Sequence, residues 1–335
     1  MWGPWQVGQM TAEDYSKRAS QWAKALKLLD PTLCLILCGE TGHSSWDHAV
    51  LSACIPFIDM HSIHMYTSSN LHIPNAIAPL SAERAIQTAA ALIDIARIEN
   101  EIPPSVSQTK ICFDEWNVWD PVRAPGDQGA EELYTLSDAL GVAVWLNVFV
   151  RQSKWVGMAN IAQTVNVISP LMTTKEGIVR QATWWPLLLF SKYMRGWTLG
   201  THVQCGAYDG ETEPAWLQGV LEQGASWLDV SASVSEEGVV SLVVVNVNDQ
   251  RDYEVEVGGV GANIAVYTVT GPSVKAVNAA GKEEVGIKET KWDGIGKFKF
   301  SRHSMTMLRW QTGQKVVEVS KGDGLRLDTR KLAWS

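Results

Sequence analysis

The chain has 335 residues, of which 46% are hydrophobic and 19% are charged, a composition that builds a sizeable core and excludes global disorder. Its formal net charge of -8 argues against nucleic acid or an anionic membrane surface as a partner. Because no apolar run reaches the roughly 18 residues that span a bilayer, we predict no transmembrane helix. The 16 tryptophans outnumber the 6 Phe and 7 Tyr together. We expect most of them to pack in the core and between elements, and the alternative for a minority is a flat platform for sugar rings.

The cysteine content bears on the cellular compartment. The five cysteines are Cys34, Cys38, Cys54, Cys112 and Cys205. Their number is odd and several lie in apolar runs, which favours buried, reduced thiols over a disulfide framework. No Asn-x-Ser/Thr sequon occurs in the chain. Both observations favour a cytoplasmic protein over a secreted one.

Strand and helix patterns alternate over the first half of the chain. In chain order they predict a helix over 11–29, strands over 33–39 and 57–66, a helix over 81–98, a strand over 110–119, a helix over 130–150 and a strand over 156–168. Such alternation indicates βαβ units and a parallel sheet. Four units fit either a doubly wound sheet or half of a (β/α)8 barrel.

Some of these elements have predicted buried faces. The first helix follows Thr11 as its N-cap, and its predicted apolar face consists of Tyr15, Ala19, Trp22, Leu26 and Leu29. The helix after Ser81 is predicted to bury Ala82, Ala85, Ile86, Ala89, Ile93 and Ala96. The run over 33–39 is continuously apolar, as expected of a strand covered on both faces.

The pattern changes after about residue 190. Short β-rich runs over 239–249, 253–259, 262–271 and 296–310 are separated by turn residues. This spacing is typical of an all-β sandwich. We therefore predict a first domain over 1–190 and a β-sandwich domain over 191–335.

The sequence "FDEWN" at 113–117 is the sharpest candidate site. Strand alternation predicts that Phe113, Glu115 and Asn117 share one face, with Asp114 and Trp116 on the other. A carboxylate at the carboxyl end of a barrel strand indicates an active site. A structural ion pair is the alternative, because an unpaired buried charge is costly.

The sequence "HSIHMY" at 61–66 is the second candidate. His61 and His64 fall on opposite faces of the predicted strand, which makes them a poor metal pair. His64 shares its face with Ser62 and Tyr66. Single His and Tyr residues on strands are usually satisfied core residues, whereas three polar residues on one face at a strand end favour a functional site over that alternative.

Three motifs together resemble glycoside hydrolase family 51, the α-L-arabinofuranosidases, and above all its fungal members. They are "HSIHMY", "ICFDEWNVW" at 111–119 and "IAQTVNVI" at 161–168. The resemblance implies that Glu115 is the nucleophile. It also implies that His64, Tyr66 and Gln163 line the sugar pocket. The implied fold is the C-terminal half of a (β/α)8 TIM barrel, strands five to eight, followed by a jelly-roll-like β-sandwich.

The same resemblance concerns the start of the chain. The family's acid/base motif reads Gly-Asn-Glu-Met-Asp-Gly-Pro-Trp-Gln, and this chain matches its second half at Met1, Gly3, Pro4, Trp5 and Gln6. Trp2 replaces the Asp. The acid/base Glu is therefore expected immediately before Met1, together with the first four βα units. Glu40, at another predicted strand end, gives no reason to expect that it substitutes.

The implied activity is retaining hydrolysis that releases non-reducing-end α-L-arabinofuranosyl residues from arabinan or arabinoxylan. Trp5 and Trp119 are expected to wall the pocket, and Asn117 to contact the substrate. No metal or cofactor is implied, and a homo-oligomer fits the family. Four strands alone are expected to leave two open parallel edges and an apolar inner face, so this polypeptide by itself is expected to be weakly active or inactive.

Two other interpretations remain open at this point. The chain could be a non-catalytic sugar-binding remnant that keeps His64, Tyr66, Gln163 and the tryptophans. It could also be an interaction module in which the β-sandwich alone folds. Turnover that depends on Glu115, arabinose binding without turnover, and a protease-resistant core from about residue 190 distinguish the three.

Overall fold

The computed structural model describes residues 2–120 and 129–313. The chain divides into two compact units. The parallel-sheet unit comprises Met1–Thr67, Leu80–Trp119 and Gln152–Ala162, and the sandwich unit comprises Ser68–Pro79, Asp120–Arg151 and Gln163–Ser335. The predicted domain boundary at residue 190 stays a prediction.

The described part of the chain contains many helices and strands. The helices are α1 (Ala12–Leu29), α2 (Ser45–Cys54), α3 (His72–Ile77), α4 (Leu80–Glu99), α5 (Leu136–Arg151) and α6 (Trp184–Tyr193), with 3-10 turns at Ile55–Phe57 and Ala215–Leu217. The strands are β1 (Ile36–Leu37), β2 (Met60–Thr67), β3 (Lys110–Val118), β4 (Val156–Ile161), β5 (Leu171–Thr174), β6 (Gly177–Arg180), β7 (Trp197–Leu199), β8 (Ala207–Tyr208), β9 (Ala225–Ser226), β10 (Leu228–Val234), β11 (Val239–Asn246), β12 (Tyr253–Val255), β13 (Ile264–Thr270), β14 (Asn278–Ala279), β15 (Lys282–Glu283), β16 (Gly286–Trp292), β17 (Phe298–Phe300) and β18 (Ser304–Gln311). None of the described helices is long and apolar enough to cross a membrane.

The parallel-sheet unit is built on four strands in the order β1-β2-β3-β4, each parallel to its neighbour. Within the described residues, β1 and β4 form the two edges of this sheet. The strands predicted over 57–66 and 110–119 are confirmed to within three residues at each end. The strand predicted over 156–168 ends already at Ile161.

The first strand is much shorter than the apolar run predicts. Only Ile36 and Leu37 are paired, and the prediction that both faces are buried is wrong. Leu37 is buried, whereas Ile36 is 42% exposed and Cys34 is exposed. Leu37 pairs with His61, which contacts α2, so the exposed residues lie on the face turned away from α2. An apolar run alone does not show whether a second layer covers it.

Helix α1 begins as predicted and buries part of its predicted face. The Thr11 hydroxyl accepts a hydrogen bond from the Asp14 N–H, which confirms the N-cap. Three residues of the predicted face are half-buried, but Trp22 is 66% exposed, so the prediction holds only in part. The fully buried residues are Ser16 and Ala23, because small side chains allow α1 to pack closely against α2.

Helix α4 confirms its predicted face in full. Every predicted core residue on it is at most 1% exposed. Ser81, expected to precede the helix, lies inside its first turn, and its hydroxyl donates to the Met65 sulfur. The helix predicted over 130–150 is α5, which begins at Leu136 and is almost entirely buried.

The sandwich unit contains an antiparallel sheet in the order β16-β13-β18-β11-β10-β7 and a two-stranded sheet of β12 and β17. The predicted β-rich runs correspond to β11, β12, β13, β17 and β18. Side chains from both sheets form one apolar cluster that includes Val244, Leu308 and Phe300. The β-sandwich prediction is confirmed. Strands β7, β10 and β16 belong to it as well, although the sequence pattern did not indicate them.

The five cysteines have no disulfide partners in this structure, as predicted. Cys54 and Cys112 are buried, but Cys34 is exposed, so the expectation of buried thiols holds only in part. Burial raises the pKa of the Cys112 thiol to about 11, and the nearby charge of Asp114 adds to this effect. This thiol is therefore protonated at neutral pH.

Candidate active site at the carboxyl end of the parallel sheet

A β-bulge in β3 determines which side chains face the site. Ile63 pairs with Phe113, and the next residue, His64, pairs with Glu115, so Asp114 is the extra residue of β3. Paired residues on parallel strands share a face, so Glu115 lies on the face of His64, whereas Phe113 lies on the opposite face. The predicted shared face of Phe113 and Glu115 is therefore wrong. Phe113 is fully buried and Glu115 is exposed.

Glu115 is held by a tyrosine on the neighbouring strand. The Tyr66 hydroxyl donates a hydrogen bond to Glu115 Oε2 at 3.1 Å. Burial raises the pKa of Tyr66, and the charge and hydrogen bond of Glu115 raise it further. The phenol thus stays protonated and remains a donor at neutral pH. Trp119 packs edge-on against Tyr66, with 5.2 Å between the ring centroids, which fixes the orientation of the phenol ring.

His64 and Asp114 form an ion pair beside Glu115. His64 Nε2 lies 3.0 Å from Asp114 Oδ1, and the two side chains are 19% and 33% exposed. Burial by itself lowers the pKa of His64. The close contact with Asp114 and the charges of Asp114 and Glu115 outweigh burial, so the pKa of His64 lies above its ordinary value. This site therefore holds two acidic side chains and an imidazole whose protonation they promote.

A second histidine pair lies on the other face of β2. His61 Nε2 is 2.9 Å from Asp47 Oδ1, and both side chains are fully buried. Asp47 also accepts hydrogen bonds from the backbone N–H groups of Glu40 and Gly42, each at 2.8 Å. Burial opposes ionisation of Asp47, but the bonds from His61 and the backbone prevail and lower its pKa to about 2. This pair holds the loop that follows β1.

His61 and His64 each contact a carboxylate of their own, Asp47 and Asp114. The described residues contain no group of three or more His, Cys, Asp or Glu side chains that could hold a metal ion. The chemistry available at this site is that of carboxylates, a phenol and an imidazole.

The structure gives the positions of three further residues that the sequence predicts as substrate contacts. Asn117 is 1% exposed, and its Nδ2 donates to the Ala162 carbonyl at 2.6 Å, so it ties β3 to the chain after β4. Trp5 is 70% exposed and packs edge-on against Trp2. Gln163 is exposed and belongs to the sandwich unit. Their roles as substrate contacts stay predictions.

Sequence reasoning missed two carboxylates, Asp114 at the site and Asp47 on the other face of β2. Asp114 was assigned to the opposite face, because strict alternation does not anticipate a bulge. The signal that could have found Asp47 is the sequence "SSWD", in which Ser44 and Asp47 form a capping box at the start of α2.

An exposed carboxylate with a tyrosine donor, at the carboxyl end of a parallel βα sheet, is typical of barrel glycoside hydrolases. The family model of the α-L-arabinofuranosidase C-terminal domain matches residues 114–304. The chain belongs to this family, which confirms the resemblance to glycoside hydrolase family 51 seen in the sequence.

Individual relatives agree with this assignment. The chain is 60% identical to a probable α-L-arabinofuranosidase C of Aspergillus fumigatus, over 93% of this chain and 64% of that protein. It is 56% identical to α-L-arabinofuranosidase C of Emericella nidulans, again over 93% of this chain and 64% of that protein. The chain thus spans a little under two thirds of the length of these curated relatives.

Solved structures show the same fold. An α-L-arabinofuranosidase from Thermotoga maritima, crystallised as an arabinose complex, has a TM-score of 0.81 and 29% identity. The family 51 enzyme from Thermotoga petrophila has a TM-score of 0.81 and 28% identity. Each match covers 92% of this chain and 64% of the solved chain. The predicted fold, half of a (β/α)8 barrel followed by a β-sandwich, is confirmed.

Proposed function

We propose that this chain carries the nucleophile of a retaining α-L-arabinofuranosidase, and that Glu115 is that nucleophile. The observation that carries the proposal is the geometry of Glu115, an exposed carboxylate fixed by the Tyr66 hydroxyl at 3.1 Å. The names of the relatives supply the reaction class and the arabinofuranosyl specificity.

In the proposed reaction, a Glu115 carboxylate oxygen attacks the anomeric carbon of the arabinofuranosyl ring while the bond from that carbon to the leaving oxygen breaks. The leaving oxygen takes a proton from a second carboxyl group, the acid/base Glu that the resemblance to the family implies. Water then attacks the same carbon, gives its proton to the second group and restores Glu115. Tyr66 orients Glu115 throughout by donating to its other oxygen.

The proposed substrates are arabinofuranosyl-containing polysaccharides and oligosaccharides, of the arabinan or arabinoxylan type. No nucleic acid or membrane partner is proposed, and a homo-oligomer is compatible with the family. The five free thiols support a cytoplasmic location. Each of these statements is open to direct test on the purified chain.

The decisive experiment labels the nucleophile covalently. The probe is a dinitrophenyl arabinofuranoside in which fluorine replaces the hydroxyl next to the anomeric carbon. Dinitrophenolate leaves without protonation, so labelling does not depend on the second carboxyl group. Mass spectrometry of the full chain is expected to find one fluoroarabinosyl group on the peptide that contains Glu115.

Two variants complete this test. Glu115→Gln is expected to abolish labelling, because an amide does not attack the anomeric carbon. Glu40→Gln, which changes the carboxylate at the end of β1, is the matched control and is expected to label normally. Labelling that survives Glu115→Gln contradicts the proposal. Arabinose-dependent quenching of tryptophan fluorescence without any labelling indicates a sugar-binding protein instead.

A further inference from the structure

The bulge in β3 brings a second carboxylate to the site beside the proposed nucleophile. Regular alternation turns Asp114 away from His64, but the extra residue at position 114 lets its carboxylate reach the His64 ring at 3.0 Å. Among the described residues, His64 is the basic side chain that pairs with Asp114. Asp114 therefore lies beside Glu115, but its carboxylate is paired with His64 and we do not assign it as a nucleophile.

The surroundings of His64 show what this pairing does. On β3, the ring faces Asp114 and Glu115, and on its own strand the Ser62 hydroxyl lies 3.5 Å from Nε2. From the loop after β1, the Glu40 carbonyl accepts a hydrogen bond from the His64 backbone N–H at 2.8 Å. The acidic groups around this imidazole therefore come from one strand, β3.

We propose that Asp114 is a positioning residue, which holds the His64 imidazolium next to Glu115 so that its positive charge stabilises the ionised nucleophile. The inference rests on the proposed function of Glu115. Asp114 itself touches His64, and it acts on the reaction through that ring. Loss of the Asp114 charge leaves a partly buried imidazole beside one carboxylate instead of two, which favours the neutral ring.

The first test follows His64 directly by NMR. The imidazole signals of the full chain, which has seven histidines, are titrated with pH, and His64 is assigned by its disappearance in His64→Gln. In the unaltered chain, His64 is expected to titrate above 6.5, the ordinary value for histidine. Asp114→Asn, which keeps the size and shape of the side chain, is expected to lower that titration midpoint by about one pH unit or more. A midpoint at or below 6.5 in the unaltered chain overturns the inference.

The second test measures the effect on the reaction. The rate of Glu115 labelling by the dinitrophenyl probe is recorded against pH. In Asp114→Asn the alkaline limb of this profile is expected to move to lower pH together with the His64 midpoint. A role limited to folding lowers the melting temperature but leaves the alkaline limb in place, and that result overturns the inference. Asp94→Asn, on the exposed face of α4, is the matched control.

A double-mutant cycle tests whether Asp114 acts through His64. If Asp114 acts through His64, Asp114→Asn changes the labelling rate by less than about twofold once His64→Gln is present. An undiminished effect in that background overturns the inference. Absence of labelling in the unaltered chain contradicts the proposed function instead, and the NMR titration still decides whether Asp114 controls the charge of His64.

Discussion

The two units each bury a polar side chain that holds a loop, but the two side chains differ in charge. The parallel-sheet unit buries the carboxylate of Asp47, which contacts His61 and holds the loop after β1. In the sandwich unit, a buried amide holds a loop. Asn246, fully buried, donates to the carbonyls of Arg251, Phe300 and Ser301. The two groups differ in chemistry: Asp47 is a carboxylate that accepts hydrogen bonds and titrates, whereas Asn246 is an amide without charge, so only the contribution of Asp47 is expected to depend on pH.

The sheet edges differ in the same way. In the sandwich unit, the edge strand β16 exposes Lys288, Glu289 and Lys291, and charges on an edge oppose further strand pairing. In the parallel-sheet unit, the edge strand β4 has no charged residue, and its Met158 is 40% exposed. The open edges expected from the sequence are therefore present among the described residues. Uncharged edges of this kind are suited to pairing with further strands.

The largest expected effect tests the buried Asp47–His61 pair of the parallel-sheet unit. Asp47→Ala leaves His61 and three backbone N–H groups without their acceptor, so the free energy of unfolding of this unit is expected to fall by about 3–5 kcal/mol. Hydrogen exchange measured by mass spectrometry checks this, with loss of protection in β2 and α2 but not in β11 and β18. Asp94→Ala, an exposed residue, is the control. An equal loss of hydrogen-exchange protection in both units contradicts the expected difference between them.

The same pair predicts an acid limit. The pKa of Asp47 is lowered from 3.8 to about 2, so its contribution to stability is complete above about 3.8 and is lost as the pH falls through about 2. Acid unfolding followed by tryptophan fluorescence is expected to shift to higher pH when Asp47 is replaced by Asn. An unchanged acid midpoint contradicts this assignment.

A smaller effect is expected for the amide network of the sandwich. Asn246→Ala removes three donated hydrogen bonds and leaves buried carbonyls unpaired, which is expected to cost about 1–3 kcal/mol of unfolding free energy. Because no charge is involved, this loss is expected to be the same at acid and neutral pH, as measured by urea unfolding. Asn160→Ala, on an exposed position of β4, is the control. A loss that varies strongly with pH contradicts the neutral character of the network.

The smallest effect concerns the buried histidine of the sandwich unit, His72. Its Nδ1 lies 2.9 Å from the Ser137 hydroxyl and its Nε2 lies 3.0 Å from the Val247 carbonyl. Burial lowers its pKa below 6.5, more than the charge of Asp249 raises it. His72 therefore stabilises the fold above 6.5, and this contribution is lost as the pH falls through its lowered pKa.

Melting temperatures measured at about pH 7.5 and about pH 5.5 check this prediction, because the interval contains the ordinary pKa of histidine. His72→Gln is expected to reduce the difference between the two temperatures. His43→Gln, whose ring is exposed, is the matched control. A His72→Gln chain that keeps the full difference shows that other titratable groups cause it.

The sequence by itself determined the elements whose signal is local. The alternation of strands and helices, the core face of α4, the Thr11 cap and the "FDEWN" motif at the end of β3 all follow from periodicity and side-chain chemistry within one segment. The tertiary structure decided what depends on two segments at once. The bulge at Asp114 exists only in the register between β2 and β3, and it places Asp114 on His64. The contact of α1 with α2, through small residues, leaves Trp22 in solvent. Register and packing partners are set by the folded chain as a whole, and no window of the sequence contains them.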